Sequence, residues 1–436
     1  MSTFPADIVV VGSGAAGLMA AIQAARAGAA VIALDGARRL GAKILVAGGG
    51  RCNVTHERVN ETDYAGSTPP AIRKVLRRFD VPETIDFFST LGVTLKREET
   101  GKLFPVTDKA GTVLDALLRA SRDAGVTLLH PWRVGAIEHD GDGFVIHASM
   151  PPRGAQDDPA AEVPAPEPLR ARRVIMATGG KSLPKTGSDG AGYGIVRSLG
   201  HTLTPNLFPG LVPLTLPRGH RLCSLSGIAT PATLTLRSAS GKVLKSFTGS
   251  TLITHTGLSG PCVLDMSRYW TMARIDSPAT PPTLSVNWLV GMTPEAFDDT
   301  LRGLGRVTLV RTLTQQIPER LARLLCEIAQ VDPATPGHAL TREQRKALVN
   351  ETTNAQLPIE GDRGYLFAEV TAGGVPLSEV NLATMESRVC PGLHLCGEIC
   401  DVDGRIGGFN FQWAWASGYV AGTSAARMLA ESAARG

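Results

Sequence analysis

The sequence predicts a doubly wound α/β domain that is interrupted by an inserted module of β-strands and helices. The first reason is a glycine-rich turn between the apolar run Asp7–Val11 and the alanine-rich segment Ala15–Ala27, which is typical of a strand–turn–helix unit. The second reason is that further short apolar runs have the composition of buried parallel strands. These runs are Ala30–Leu34, Arg173–Ala177 and Leu393–Cys396. The third reason is a change of composition near residue 205, where short alternating runs rich in Thr, Leu and Pro begin.

The composition is that of a globular protein with a sizeable core. The chain has 436 residues, which suggests two or three domains, and 43% of them are hydrophobic against 19% charged. The net charge of +4 does not by itself imply a nucleic-acid partner. Seven cysteines without a disulfide-scaffold spacing favour a reducing compartment. Because glycines and Arg26 interrupt the apolar stretch Ile8–Leu34, and the N-terminus lacks the basic start of a signal peptide, we expect no membrane span and a cytoplasmic location.

The strongest local motif is the dinucleotide fingerprint formed by Gly12, Gly14 and Gly17. Gly12 allows the tight turn, Gly14 allows close approach of a pyrophosphate, and Gly17 allows the helix to pack closely on the strand. The backbone N–H groups at Ala15 and Ala16 open the helix and are expected to face the phosphates. A G-x-G-x-x-G pattern is weak alone, but here a strand precedes it and a helix follows it. The alternative is a glycine-rich turn that binds no ligand.

The second predicted strand ends at an acidic residue, which strengthens the fingerprint. Asp35 follows Gly12 by twenty-three residues and is expected to accept hydrogen bonds from the adenosine ribose. No second fingerprint follows for a nicotinamide dinucleotide, so FAD is predicted as the resident cofactor and NAD(P)H as a transient electron donor only. Val174–Gly180 looks like the strand-to-glycine segment near an FAD site. Gly392–Glu398, followed by Gly407–Asn410, looks like the late motif that holds the ribityl chain.

These motifs together resemble the HI0933-like flavoprotein family, within the larger glutathione-reductase-type FAD fold. The resemblance covers most of the chain. Besides the fingerprint, it is carried by Gly48–Thr55 (GGGRCNVT), Gly101–Pro105, Thr254–Pro261, Thr371–Val375 and Gly397–Trp415. One departure is Asp35, where glutamate is commoner in FAD folds; the shorter side chain should still reach a ribose.

The resemblance implies an FAD-binding domain built from both chain ends, with an inserted β-barrel-like unit and a small helical unit. The change of composition near residue 205 agrees with this. The expected segments are 1–204 and 376–436 for the FAD domain, 205–292 for the β-barrel-like unit with a return strand in 354–375, and 293–353 for the helical unit. The stretch Pro151–Pro168, rich in Pro and Ala, has no periodicity and predicts an exposed loop.

The expected cofactor-binding residues come from the fingerprint and from the resemblance. In related FAD folds the loop after the second strand passes beside the flavin ring, an acidic residue holds the ribityl chain, and a late helix faces the flavin with its N-terminus. The full set is Gly12, Gly14, Ala15, Ala16, Gly17, Asp35, Lys43, Gly48, Gly49, Gly50, Arg51, Asn53, Thr178, Gly179, Gly180, Gly397, Glu398, Gly408, Asn410, Phe411 and Gln412.

Two interpretations of Cys52 are open. If the glycine run lies against the flavin, Cys52 is placed to donate a proton to a substrate carbon while the cofactor gives a hydride. Arg51 would then lower the thiol pKa and stabilise negative charge on the reduced flavin. The alternative is that Cys52 is a small residue packed beneath the flavin, since free cysteine is commonly buried.

His255 is the third candidate catalytic residue. It lies in a turn-rich segment of the inserted unit and is placed to act as an acid or base if it faces the substrate. The alternative is a histidine that holds the loop by hydrogen bonds. Cys396 and Cys400 lack the spacing of a redox pair, so we interpret them as structural, and the histidine pattern predicts no metal site.

The expected activity is that of an FAD-dependent oxidoreductase, most simply a reductase of an activated C=C bond that takes electrons from NAD(P)H. Family members have been associated with steroid-type enone reduction, with amine oxidation, and with reduction of a uracil to dihydrouridine in ribosomal RNA. The resemblance therefore implies a small-molecule substrate or RNA. A different class, a non-catalytic flavin-binding sensor or assembly factor, predicts bound FAD without turnover.

Two basic clusters bear on the RNA alternative. Arg73, Lys74, Arg77 and Arg78 recur at helical spacing, and a second cluster spans 170–173. Such runs are usually solvated faces. The alternative is contact with phosphates. The sequence predicts no oligomeric state.

Overall fold

The computed structural model describes residues 5–149 and 166–434. Of the loop predicted at Pro151–Pro168, residues 151–165 therefore lie outside the described part, and 166–168 have no regular structure. The chain divides into two compact units. The first unit comprises Met1–Phe208 and Val370–Gly436, and the second unit comprises Pro209–Glu369.

The first unit begins with a strand–helix–strand motif and continues with alternating short strands and helices. Its strands up to residue 208 are β1 (Ala6–Val11), β2 (Val31–Leu34), β3 (Thr55–His56), β4 (Tyr64–Gly66), β5 (Leu95–Arg97), β6 (Lys102–Pro105), β7 (Thr127–Leu129), β8 (Val134–His139), β9 (Phe144–Ala148) and β10 (Leu169–Met176). Its helices are α1 (Ala15–Arg26), α2 (Ala42–Gly50), α3 (Pro69–Leu76), α4 (Val81–Thr90), α5 (Ala110–Asp123) and α6 (Ala191–Ser198).

A short strand at the junction, β11 (Phe208–Gly210), leads into the second unit. The strands that follow are β12 (Leu214–Thr215), β13 (Ala229–Arg237), β14 (Val243–Thr254), β15 (Gly257–Ser259), β16 (Thr283–Asn287), β17 (Ala355–Leu357) and β18 (Gly361–Asp362). The helices are α7 (Pro261–Asp276), α8 (Pro294–Arg302), α9 (Leu309–Leu313), α10 (Glu319–Ile328) and α11 (Arg342–Thr353).

The chain then returns to the first unit with short strands and one long helix. These are β19 (Val370–Ala372), β20 (Val380–Asn381), β21 (Glu386–Ser387), β22 (Leu393–Leu395), β23 (Val402–Gly404) and α12 (Phe409–Ala433).

The main sheet of the first unit confirms the predicted α/β fold. Its order is β20-β21-β22-β10-β1-β2-β7, with β8 and β9 attached beside β10. Strand β1 lies between β10 and β2, and β22 and β7 extend the sheet, all in parallel pairing. Every residue of β1 from Val9 to Val11 is buried, which explains its uninterrupted apolar sequence. The parallel strands from both chain ends meet in one sheet, so their carboxyl ends share one edge, where the site lies.

Close packing of α1 on α12 brings the two chain ends together. A Cβ built on Gly418 would lie 2.5 Å from the carbonyl oxygen of Ala16, and one on Gly422 would lie 2.2 Å from that of Ala20. Any side chain at these two glycines would therefore separate the helices. This contact places the last helix of the chain directly behind the fingerprint helix.

The second unit has its own sheet and its own core. The sheet order is β17-β16-β13-β14-β15-β12-β18, and its pairs are antiparallel. Leucines from β13 and residues of α7 to α11 form a core that is separate from the core of the first unit. Within residues 5–149 and 166–434, no helix has the length and apolar character needed to cross a bilayer.

Candidate flavin site

Glycine stands at the three fingerprint positions for different structural reasons. Gly12 has a φ of +95°, and a Cβ there would lie 2.5 Å from the carbonyl oxygen of Ala177. A Cβ on Gly17 would lie 1.8 Å from the carbonyl oxygen of Gly12. Gly14 differs, since its φ is −79° and no atom lies within 4 Å of its Cβ position. Protein packing therefore requires Gly12 and Gly17, whereas Gly14 leaves open space at the N-terminus of α1, between Gly14 and Ala16. That space fits the phosphates of a dinucleotide.

Asp35 lies against this turn, at the carboxyl end of β2. Its Oδ2 accepts a hydrogen bond from the backbone N of Ser13 at 2.8 Å, and its Oδ1 accepts one from the backbone N of Ala37 at 2.8 Å. The carboxylate is thus held in one orientation, with lone pairs left for a ribose hydroxyl. Ser13 and Asp35 are therefore in direct contact although they are 22 residues apart in the sequence.

Glu398 and Lys43 meet although they are 355 residues apart in sequence. Lys43 Nζ lies 2.5 Å from Glu398 Oε2 and donates to Ser182 Oγ at 2.8 Å. Glu398 Oε1 accepts from Ser182 Oγ and from the backbone N of Thr371, both at 2.8 Å. Ser182 and Thr371 were not among the predicted cofactor residues. Their sequence signals are that Thr371 begins the segment Thr371–Val375, which carries part of the resemblance, and that Ser182 follows shortly after Gly179 and Gly180.

The glycines after β10 leave room for this cluster. Gly179 has a φ of +70°, and a Cβ on Gly180 would lie 2.7 Å from Glu398 Oε1. Thr178 Oγ1 and Asn53 Oδ1 are buried and have no hydrogen-bond partner among the described residues. A buried polar atom without a partner costs roughly 1–3 kcal/mol, so both atoms suit a site that a polar ligand completes.

The glycine run 48–50 ends helix α2 in left-handed backbone. Gly48, Gly49 and Gly50 have φ values of +58°, +68° and +85°, which glycine adopts without strain. All three are exposed at the surface, and no atom lies within 4 Å of the Cβ position of Gly49. The run therefore presents bare backbone, as expected of a segment that a flat ring approaches.

Cys52 is fully buried in the core of the first unit, with 0% of its surface exposed. Burial raises the pKa of its thiol to about 12. The expectation that Arg51 lowers this pKa is therefore wrong. The thiol is neutral at physiological pH because its charged form would lose its hydration.

The charge of Arg51 is already compensated by neighbouring carboxylates. Its Nη1 lies 2.5 Å from Glu98 Oε1 and 3.7 Å from Asp108 Oδ1, and its guanidinium lies 4.1 Å from the centroid of the Phe104 ring. Asp108 also pairs with Lys96, whose hydrogen bond lowers the pKa of that carboxyl. Beside the glycine run, the Arg51 side chain thus pairs with carboxylates and packs on Phe104.

The late glycine motif starts helix α12. Gly408 has a φ of +97°, and a Cβ there would lie 2.6 Å from the carbonyl oxygen of Thr55. The first backbone N–H groups of α12 have no acceptor within the helix and carry its positive dipole end. The ring of Phe411 stacks on Trp415 at 5.5 Å. This helix start is the part of the motif that is available to a ligand.

The side chains of Asn410 and Gln412 are used by the protein itself. Asn410 accepts from the backbone N of Gly404 at 2.8 Å and donates to its carbonyl oxygen at 2.9 Å. Gln412 is 1% exposed; its Oε1 accepts from Thr55 Oγ1 at 2.7 Å and its Nε2 donates to the carbonyl oxygen of Phe79 at 2.9 Å. Both side chains are thus held by hydrogen bonds within the protein.

Gly397, His255 and two cysteines complete the residues that the sequence singled out. Gly397 packs on the first turn of α1, where a Cβ would lie 2.8 Å from the Cβ of Ala16. His255 is exposed in the turn between β14 and β15 of the second unit, and Thr254 Oγ1 closes that turn on the carbonyl oxygen of Gly257 at 3.0 Å. Cys396 and Cys400 are buried, and burial raises the pKa of both thiols.

The chain has relatives that match it over nearly its whole length. The chain is 36% identical over 425 residues to the 3-dehydro-bile acid delta(4,6)-reductase of Clostridium scindens, covering 96% of this chain and 98% of that protein. It is 33% identical over 417 residues to the ribosomal RNA dihydrouridine synthase of Escherichia coli K12, covering 95% and 96%. A solved 3-ketosteroid-delta4-(5alpha)-dehydrogenase from Rhodococcus jostii RHA1 superposes with a TM-score of 0.48 at 16% identity over 98% of both chains, which is too weak to support an argument.

The family assignment rests on the whole chain and not on one motif. The family profile described as the HI0933-like protein Rossmann domain matches residues 6–424. This range includes the fingerprint, the glycine run and the late motif of α12. The chain belongs to the HI0933-like Rossmann-domain family of FAD-dependent oxidoreductases.

Proposed function

We propose that this protein reduces a C=C bond that is conjugated to a carbonyl group. The observation that carries the proposal is the chemistry shared by two of its relatives, at 36% and 33% identity. A 3-dehydro-bile acid delta(4,6)-reductase saturates double bonds conjugated to a ketone, and a dihydrouridine synthase saturates the C=C bond conjugated to a uracil carbonyl. The substrates differ greatly in size, but the reacting group is of one kind.

The residues of the first unit fit FAD in defined roles. The open space at Gly14 and the N-terminus of α1 would hold the diphosphate, and Asp35 would hold the adenosine ribose. Glu398 and the unpaired Asn53 Oδ1 would contact the ribityl chain and flavin, with the start of α12 facing the ring. FAD, when bound, supplies hydride to the substrate and takes electrons from NAD(P)H.

The protein groups near the glycine run have separate tasks in this proposal. Arg51, stacked on Phe104, provides a fixed cation close to bare backbone, and a fixed cation stabilises negative charge that develops on a substrate carbonyl. Cys52 keeps its proton on Sγ at physiological pH, but its complete burial favours the packing role over proton donation.

The experiment is anaerobic half-reactions with the purified protein. We expect a yellow protein whose flavin absorbance is lost on addition of NADH or NADPH and recovers on addition of a conjugated enone or a uracil-containing acceptor. Simple amines are tested as electron donors in parallel, and bleaching by an amine alone would favour an amine oxidase instead. Bound FAD that responds to none of these compounds would leave the non-catalytic flavin-binding protein as the better interpretation.

A second candidate is dihydrouridine formation in ribosomal RNA, and the surface of α3 favours it. Arg73, Lys74, Arg77 and Arg78 are all exposed, so the predicted cluster forms one basic face. Arg73 pairs with Glu61 at 3.2 Å, and the arginine side chain is 45% exposed. A phosphate backbone would compete with such a pair at little cost, because exposed ion pairs contribute roughly 0–1 kcal/mol.

Charge reversal tests the RNA candidate. The triple variant Arg73→Glu, Arg77→Glu, Arg78→Glu should lose RNA binding and retain FAD, since α3 is on the surface and takes no part in the fingerprint. The matched control is Arg302→Glu with Arg323→Glu, which reverses exposed charges on α8 and α10. RNA affinity measured at several salt concentrations should drop only for the α3 variant. Equal affinity of the α3 variant and the wild type would remove this candidate.

A further inference from the structure

Lys43 and Glu398 form an ion pair that is shielded from solvent on both sides. Only 29% of the lysine side chain and 17% of the glutamate side chain are exposed. At this degree of burial, bulk water and salt screen a charge much less than at the surface. The pair is therefore unlike the exposed pairs of the same chain, such as Arg323 with Glu319, whose side chains are 56% and 60% exposed.

The carboxylate of Glu398 cannot turn away if its partner is removed. Its Oε1 is held by Ser182 Oγ and by the backbone N of Thr371, both at 2.8 Å. Ser182 is 0% and Thr371 1% exposed. Thr371 Oγ1 in turn accepts from the backbone N of Lys181 at 2.7 Å. The glutamate is thus fixed by elements from two chain segments besides α2, and among residues 5–149 and 166–434 its ion-pair partner is Lys43.

This fixed charge lies beside the phosphate-binding turn. Gly397, the neighbour of Glu398, packs on Ala16 in the first turn of α1, where a Cβ would lie 2.8 Å from the Cβ of Ala16. Gly180 touches the carboxylate itself, since its Cβ position is 2.7 Å from Oε1. An uncompensated negative charge here would repel the anionic diphosphate of FAD and would weaken the attraction that the positive end of α1 exerts on it.

We propose that Lys43 acts through Glu398 as a positioning residue, and that the neutral Lys43–Glu398 pair sets the affinity and the reduction potential of FAD as one unit. The inference rests on the proposed function only in requiring that FAD binds. Lys43 is then not primarily a ligand of the phosphates. It cancels a carboxylate that Ser182 and Thr371 hold in place, so the glutamate can orient the cofactor without repelling it.

Removal of either charge has a predictable sign. Without Lys43, the fixed carboxylate repels the anionic cofactor, and because reduction adds negative charge to the flavin, the potential falls. Without the Glu398 charge, the Lys43 cation favours the reduced form, and the potential rises. When both charges are removed, the repulsion disappears, so the double variant should bind FAD more tightly than the variant that lacks only Lys43. Suppression of one loss by a second substitution is the signature of a coupled pair.

The experiment measures the Kd of FAD for the apoprotein by flavin fluorescence, and the midpoint potential of the reloaded protein. The variants are Lys43→Met, Glu398→Gln, the double variant and Lys43→Arg, with Arg323→Met as the matched control at an exposed pair. We expect Lys43→Met to weaken binding roughly tenfold, equal to about 1.4 kcal/mol. We expect Lys43→Arg to bind FAD with wild-type affinity and the double variant to recover most of that affinity. We expect Lys43→Met and Glu398→Gln to shift the midpoint potential in opposite directions.

Several outcomes would overturn the inference. Additive losses in the double variant would mean that Lys43 and Glu398 bind FAD independently, and potentials shifted in one direction would mean a structural role only. Thermal unfolding of each apoprotein identifies a variant that has lost its fold. In that case the FAD affinity and midpoint potential of Lys43→Arg, compared with the wild type, provide the test. No substrate is used, so FAD binding without any turnover would defeat the proposed reductase and leave this inference standing, while a wild type that binds no FAD defeats both.

Discussion

Alanine substitutions at Gly17 and Gly14 should separate a packing requirement from a ligand requirement within one turn. A new Cβ at Gly17 would lie 1.8 Å from the carbonyl oxygen of Gly12 and 3.3 Å from the Cβ of Ala177. The blocking atom is backbone, so it cannot swing away as a side-chain end would. A new Cβ at Gly14 meets no atom within 4 Å, and its φ of −79° suits alanine.

The magnitudes follow from these contacts. Overpacking costs roughly 1–3 kcal/mol, and more where backbone blocks the added atom. Alanine at Gly17 regains about 1 kcal/mol of helix propensity, so we expect a net loss of about 2 kcal/mol for Gly17→Ala and a melting temperature several degrees lower. For Gly14→Ala we expect less than about 1 kcal/mol of change in the apoprotein, but at least roughly tenfold weaker FAD binding, because the methyl group occupies the space of the diphosphate.

The assay combines thermal unfolding of the apoprotein with fluorescence titration of FAD. Gly17→Ala should lower the melting temperature of the apoprotein. Gly14→Ala should leave the melting temperature nearly unchanged and weaken FAD binding. If Gly14→Ala binds FAD as tightly as the wild type, the open space at the start of α1 is not the diphosphate site. If Gly17→Ala melts with the wild type, the close contact between Gly17 and Gly12 is not a packing constraint.

Three further predictions concern buried polar groups. Gln412→Leu deprives Thr55 of an acceptor and the carbonyl oxygen of Phe79 of a donor, so unfolding free energy from urea denaturation should drop by about 2–4 kcal/mol; an unchanged midpoint would contradict the hydrogen-bond network. Burial raises the pKa of Cys52 from 9.0 to about 12, so between these pH values the unfolded chain releases a proton that the folded chain retains. Stability should therefore decrease as pH rises through that window, and Cys52→Ala should make the decrease shallower; an identical slope would argue against the buried thiol. Burial, partly opposed by Glu386, lowers the pKa of His394 from 6.5 to about 4, so in that window the unfolded chain takes up a proton that the folded chain does not. Stability should decrease as pH falls from 6.5 to 4, and His394→Asn should flatten this limb of the curve.

The fold class and the family could be predicted from the sequence because their signals are local. The turn needs a φ of +95° at Gly12 and close backbone contact at Gly17, and only glycine meets these requirements. The fingerprint can therefore be recognised from the residue types at these positions. The uninterrupted apolar residues of β1 likewise follow from parallel neighbours on both edges and cover on both faces. The cofactor-binding set and the catalytic roles stay predictions.

Two expectations about individual side chains depended on surroundings that no local pattern contains. The pKa of Cys52 was expected to fall because Arg51 is its neighbour in sequence, yet Arg51 turns to Glu98 and Phe104 while the thiol enters the core. The contact of Gln412 with the cofactor stays a prediction, and no local pattern indicated that its amide binds Thr55 and Phe79. Adjacency in sequence does not determine the direction of a side chain or the water around it.

The sequence by itself determined the strand–turn–helix start of this protein, its family and its expected cofactor, since glycines with special backbone geometry and apolar periodicity act over a few residues. Only the tertiary structure decided which charges meet. Lys43 and Glu398 are 355 residues apart, and they are brought together because β22, which ends just before Glu398, joins β10 in the same sheet as β1 and β2. Ionisation and charge balance depend on burial and on neighbours within a few ångströms, and those neighbours come from distant parts of the chain.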